Sequence, residues 1–236
     1  MNKDNILIGI IGLLLGFIIG FMFANSANQR ASQPPPATLA PQNPALPPDH
    51  PPIQSGAGAQ GAMQADIQAS LKLARDQPDN FDAQMKAAES YYQIQRFDEA
   101  LEFLKRANQI RPQAFEPLVN LGNVYFDSGR FEEAEKWYTE ALKINPDDVN
   151  VRTDLGLTFF FRTPPDAERA IKEYRASLER DPRHEPTLQN MVAALTRVGN
   201  AKEAEEMIAR LGEANPSNQA LSKLRSDLDK LKSQTK

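Results

Sequence analysis

The 236-residue chain contains no cysteine, which excludes a disulfide framework, a thiolate nucleophile and any cysteine-ligated zinc or iron–sulfur site. Histidine is nearly as scarce. With only His50 and His184, a histidine-rich metal centre or a Ser-His-Asp triad would have to rest on one of them. Positive charge is not in excess either: 27 Lys and Arg stand against 31 Asp and Glu, a formal net charge of −4. A large phosphate-binding surface needs clustered bases, so nucleic acid is not an expected partner. No phosphate loop is present, because GIIGLLLG lies inside an apolar run and lacks the required lysine. Carboxylate pairs such as Glu132–Glu133 and Glu205–Glu206 fall on charged helix faces that solvation explains better than acid–base chemistry. The chain reads as non-enzymatic, with no cofactor or metal.

What is present falls into three regions. After a short tail at 1–5, residues 6–24 (ILIGIIGLLLGFIIGFMFA) hold no charged or polar side chain. As a helix at 1.5 Å per residue this run spans about 28 Å, the thickness of a bilayer hydrocarbon core. It is read as a single transmembrane anchor. A cleaved signal peptide, cut between Ser26 and Ala27, is the rival reading. Lys3 precedes the run, Arg30 follows it, and the next base is Lys72. That asymmetry favours an extracytoplasmic, periplasmic location for the rest of the chain, with a soluble periplasmic or a cytoplasm-facing protein as alternatives. Gly9, Gly12, Gly16 and Gly20 share one face of the anchor, a small-residue pattern that permits close helix packing and hence a homodimer.

Residues 25–63 form the second region. Nine of the 18 prolines lie there, including Pro34-Pro35-Pro36, Pro47-Pro48 and Pro51-Pro52. Proline removes backbone donors, and the apolar residues are too few to build a core, so a disordered tether is expected. No base flanks the prolines to orient an SH3-type ligand, and His50 stands here without a partner.

The third region repeats. Pro78, Pro112, Pro146, Pro182 and Pro216 each follow an apolar helical pattern, at spacings of 34, 34, 36 and 34 residues. A 34-residue helix–turn–helix period points to an all-α solenoid, each unit burying its apolar face against its neighbours. The clearest copy is 115–148, FEPLVNLGNVYFDSGRFEEAEKWYTEALKINPDD. It closely resembles the tetratricopeptide repeat (TPR) at Leu118, Leu121, Gly122, Tyr125, Gly129, Ala134, Tyr138, Ala141 and Pro146. The same register gives repeats at 81–114, 149–184 and 185–218, with a helix at 64–80 before them and a capping helix at 219–236 after them. In the third repeat the inter-helix turn is two residues longer. Thr163, three residues before Asp166, is expected to cap the second helix there.

The resemblance implies a protein partner whose peptide or helix lies in a concave groove lined by the first helices. Carried over position by position, the groove residues are Met85, Glu89 and Tyr92; Val119, Asn120, Asn123 and Phe126; Asn150, Asp154, Leu157, Phe160 and Phe161; and Gln189, Asn190, Ala193 and Arg197. Asn120 and Asn123 suit an extended backbone, since an amide both donates and accepts. Tyr92, Phe126, Phe160 and Phe161 offer an aromatic strip, with inter-helix core as the competing role for the last two. One of the three aromatics at 159–161 is expected to face away from the core. The basic clamp that TPR domains use for acidic chaperone tails is absent, because its basic positions map to Met85, Asn150 and Asp154. His184 reads as a surface residue at a repeat junction. The expectation is a membrane-tethered scaffold or adaptor. The alternative is a periplasmic chaperone-like protein that holds exported or unfolded chains, of the assembly or cytochrome c maturation type.

Overall fold

The computed structural model describes residues 57–234, with side chains from 65 to 233, and every regular element among them is helical. In chain order these are α1 (Ala57–Asp76), α2 (Phe81–Gln93), α3 (Phe97–Ile110), α4 (Phe115–Asp127), α5 (Phe131–Ile144), α6 (Val149–Phe161), α7 (Ala167–Arg180), α8 (Glu185–Arg197), α9 (Ala201–Ala214) and α10 (Leu221–Gln234). Helices α2 to α9 form four antiparallel pairs in the expected register. The first helix, α1, starts at Ala57, inside the stretch assigned to the tether, and stops at Asp76. The segment 6–24, with Gly9, Gly12, Gly16 and Gly20, lies outside the described residues, as does most of the tether. Among the described residues no helix is long and apolar enough to cross a membrane.

Proline and capping chemistry punctuate the array. Pro112, Pro146 and Pro182 sit in the tight turns between one pair and the next, and Pro78 and Pro216 in the turns that join the flanking helices to the pairs. There each ends the preceding helix without removing a ladder hydrogen bond. Asn80 and Asp148 then cap α2 and α6, accepting from the backbone N–H of Ala83 at 3.1 Å and Val151 at 2.9 Å. Within pairs, the turn after the first helix needs a left-handed residue. Gly129 (φ 74°) and Gly199 (φ 79°) supply it, and Gln95 (φ 58°) takes the same place in the first repeat.

The longer turn of the third repeat departs from expectation. Its cap is Asp166, whose carboxylate accepts from the Arg169 N–H at 3.0 Å, and α7 begins at Ala167. Thr163, Pro164 and Pro165 belong to the loop, because the two extra residues are absorbed before the helix rather than as its first turn. Asp166→Ala should lower stability by about 1 kcal/mol in urea unfolding, whereas Thr163→Ala should leave the midpoint unchanged.

Each pair is locked by a close approach that the sequence sets through side-chain volume. The Tyr138 ring lies across Gly122, so a Cβ there would fall 2.5 Å from two ring carbons; at Gly156 it would fall 2.4 Å from Tyr174 Cε1. In the same register the first repeat carries Ala88 with Leu104 and the fourth Val192 with Ile208, all buried. Where the first helix carries glycine its partner is tyrosine, and where it carries alanine or valine the partner is the smaller leucine or isoleucine, which keeps the interior filled. The resulting core runs unbroken from Leu71 to Leu228. Helix α10 closes the end by packing on α8 and α9 with Leu221 and Leu228 buried, while Lys223, Arg225 and Asp229 face outward. Between repeats, second helices are tied by Arg169 to Glu135 (2.7 Å) and by Arg175 to Glu203 (2.9 Å).

Candidate peptide-binding face

The first helices stack directly on one another. Tyr92 of α2 donates its hydroxyl to Asp127 of α4. Phe126 of α4 meets Phe161 of α6 with ring centroids 6.1 Å apart. From α8, Arg197 Nη1 donates to the Phe160 carbonyl at 3.2 Å, and its guanidinium sits 4.7 Å from the Phe160 ring centroid. This stacking leaves part of several first-helix side chains accessible, among them Met85, Asn120, Leu157 and Asn190.

The predicted groove residues divide by how far packing uses them up. Met85, Val119, Asn120, Asn123 and Leu157 are half-buried, each with part of its surface open. Glu89 is exposed and paired with Lys86 at 2.7 Å. The aromatic strip is different: Phe126 and Phe161 stand in a cluster with Phe131, edge-on at 5.4 Å for Phe126 and stacked at 6.4 Å for Phe161. Phe160 is core, only 8% exposed, and Phe159 is 1% exposed. Of the three aromatics at 159–161, Phe161 alone keeps part of its surface open. Helix α6 is covered by α5 and α7 and also by α8 along its side, so a 100° turn from the intra-repeat core still points Phe161 into a neighbouring repeat.

Beside these lie two carboxylates, of which reading the sequence named Asp154 and missed Asp127. Asp127 and Asp154, both half-buried, form no ion pair among the described residues. Burial raises the Asp127 carboxyl, and the Tyr92 hydroxyl pulls it back. Asp154 is pushed from 3.8 up to about 7, first by burial and then by the charges of Asp127 and Asp148. Both carboxylates in turn raise the Tyr92 and Tyr138 hydroxyls, although burial is the larger cause. Tyr138 donates to Asn123 Oδ1 at 2.8 Å, which fixes that amide on the face.

His184 is more than a surface residue. Its ring is half-buried and bridges two repeats, with Nδ1 at 2.7 Å from Thr187 Oγ1 and Nε2 at 3.1 Å from Asn150 Oδ1. Burial lowers its pKa from 6.5, which favours the neutral imidazole at this junction. Among the described residues no group of three or more acidic, His or Cys side chains could hold a metal ion.

A tetratricopeptide repeat profile matches residues 95–153 and 166–228, and a second TPR profile matches 64–115. The chain belongs to the tetratricopeptide repeat family. Solved structures agree in fold. MamA is 20% identical with a TM-score of 0.61, over 71% of this chain and 96% of its own. YrrB, described as a TPR protein with an unusual peptide-binding site, is 16% identical with a TM-score of 0.60, over 72% and 86%. A TPR protein from Parabacteroides merdae is 20% identical with a TM-score of 0.60, over 65% and 60%. No curated protein sequence matches the chain.

In the TPR register Tyr174 corresponds to Tyr138 and Leu157 to Asn123. The substitution of leucine for the amide leaves the Tyr174 hydroxyl, on a side chain 0% exposed, with no hydrogen-bond partner among the described residues. The Asp154 charge reaches that hydroxyl and adds to the effect of burial in raising it.

Proposed function

We propose that this TPR protein is a membrane-tethered interaction scaffold that takes a peptide or helix of a partner protein on its first-helix face. The observation that carries the reading is the open row of Met85, Val119, Asn120, Asn123 and Leu157. It joins apolar contact with amides that both donate and accept, on a rigid array spanning several turns of a ligand. The peptide-binding site of YrrB, on a likeness of fold alone, is consistent with this use. Residues 6–24 would hold the array at a membrane, with the repeats on the extracytoplasmic side, and the proline-rich tether would give it reach. Confinement of that kind raises the effective concentration of membrane-associated partners without any new contact.

In-cell photocrosslinking from Asn120 and Leu157 tests the reading, since both side chains are partly open whereas the buried Phe160 would report on the core. One dominant adduct at both positions supports a dedicated scaffold. A broad set of exported chains would replace it with a chaperone-like holder. Crosslinks only from outward-facing control positions such as Glu102 would overturn the face itself. Deleting 6–24 should move the protein from the membrane fraction to the soluble one, and retention in the pellet would remove the anchor.

A further inference from the structure

The junction between the third and fourth repeats is joined through polar side chains. Thr153 Oγ1 donates to the Val149 carbonyl one turn back on α6 at 2.7 Å and lies 2.6 Å from Thr187 Oγ1 of α8. Ser177 of α7 donates to the same carbonyl at 2.9 Å and lies 3.1 Å from Thr153 Oγ1. All three hydroxyl side chains are buried. In the TPR register the second junction fills these places with Val119, Ala141 and Val151, and the first with Met85, Ala107 and Pro117. Stacking therefore does not need the hydroxyls, and a buried hydroxyl is costly unless it is bonded.

The chain of hydroxyls has a direction. A carbonyl only accepts, so Thr153 spends its single hydrogen on Val149. The 2.6 Å contact is then a bond that Thr187 donates, and its hydrogen is spent in turn. What remains to Thr187 Oγ1 is to accept, so the His184 nitrogen 2.7 Å away, Nδ1, carries a hydrogen. The buried end of the network thus fixes the tautomer and leaves Nε2 as the atom that titrates. Nε2 faces Asn150, an exposed residue on the first helix of the third repeat. The amide of Asn150 can serve either state of the ring. Its Oδ1, which stands 3.1 Å from Nε2, accepts from a protonated ring, whereas a lone pair on Nε2 calls for the Nδ2 donor.

We propose that His184 is a proton-responsive switch: proton uptake at Nε2 turns over the Asn150 amide, so that the first-helix face offers a ligand the Asn150 NH2 in mild acid and its carbonyl at higher pH. The consequence for a ligand rests on that face being the binding surface; the switch itself does not. Burial lowers the pKa of the ring from 6.5, against the pull of Asp181, Glu185 and Asp148. Each of these acids is engaged. Asp148 caps α6 through the Val151 N–H at 2.9 Å, Asp181 accepts from the Arg183 N–H at 3.0 Å, and Glu185 accepts from Asn215 and Asn218 at 2.9 and 2.8 Å. The nearby bases are turned elsewhere: Arg183 donates to the Glu213 carbonyl at 3.2 Å, and Arg180 pairs with Asp147 at 3.0 Å.

Nitrogen NMR on the full chain in detergent micelles, with histidine and asparagine side chains labelled, tests this. His50 is the other histidine, so His50→Gln leaves His184 as the one ring observed. At about pH 8 the hydrogen should sit on Nδ1, and a coupling across the hydrogen bond should join Asn150 Nδ2 to Nε2. On acidification that coupling should vanish with the midpoint of ring protonation, below 6.5. Asn150→Asp, which can only accept, should raise the midpoint by about one pH unit. Thr187→Val, which removes the acceptor for Nδ1, should move the hydrogen of the neutral ring to Nε2. A wild-type ring that carries its hydrogen on Nε2 at about pH 8, or an Asn150 amide whose signals ignore the titration of His184, would overturn the switch. None of these readings needs a ligand, so their failure leaves the scaffold reading standing, and the crosslinking from Asn120 and Leu157 tests the face separately.

Discussion

Gly156→Val is expected to destabilise the protein by about 1–3 kcal/mol, and adding Tyr174→Ile should recover most of the loss. A Cβ at Gly156 would meet Tyr174 Cε1 at 2.4 Å and Cδ1 at 2.8 Å, and the buried ring has no free space into which to swing. Helix propensity works the other way, since valine in a helix is better than glycine by a few tenths of a kcal/mol, but overpacking outweighs that gain. The double variant rebuilds the Val192–Ile208 pair of the fourth repeat inside the third. Gly212→Ala is the control: its nearest neighbour would be Arg225 Nη2 at 3.8 Å, an ordinary contact, so stability should rise by up to about 1 kcal/mol. Urea unfolding followed by circular dichroism measures all three. A Gly156→Val protein as stable as wild type, or a double variant no better than the single, would sink the volume-matching account.

Asp154→Asn should stabilise the protein at pH 8 by about 2–3 kcal/mol and leave it nearly unchanged below pH 4. The carboxyl titrates near 3.8 when unfolded and at about 7 when folded. Below the lower value it is neutral in both states and contributes nothing. As pH rises from there to about 7, the unfolded chain releases a proton that the native chain keeps, so stability falls across that window. A difference of that size between the two states sets a ceiling of about 4 kcal/mol, and the effect stays below it because the side chain is only half-buried. Burial is the larger cause, and the charges of Asp127 on α4 and of Asp148 at its own helix N-cap add to it. Thermal melts across this range check the sign. An equal gain at pH 4 and pH 8 would show that the effect is steric rather than electrostatic.

The array is legible in the sequence because its signals are local and repeated. The five prolines mark the turns, and Gly122 with Tyr138 announces a close helix contact within one 34-residue unit. What is not legible depends on how units stack. Phe161 faces outward on a single-repeat view, yet it meets Phe126 and Phe131 of the preceding repeat, so stacking covers part of an apolar face wider than one stripe. The Tyr92–Asp127 contact is the same case. Tyr92 and Asp127 stand 35 residues apart and meet only across the α2–α4 contact. Tyr174 becomes unpartnered only when Leu157 is recognised as the counterpart of Asn123. The cap at Asp166 is hidden because Thr163-Pro164-Pro165 also matches a helix-start pattern, and loop length decides between them.

The matched pairs also say how such a chain can grow. A duplication that copies a whole unit carries both halves of its inner contact, so Gly122 travels with Tyr138 and the new repeat arrives already fitted. A crossover inside the intra-pair turn mates strangers: α8 joined to α5 sets Val192 against Tyr138, and α4 joined to α9 leaves Gly122 facing Ile208 with a hollow between. The helix pair, rather than the helix, is therefore the module that inheritance can shuffle, and the two-residue insertion before α7 lies at a seam where a length change spares that contact.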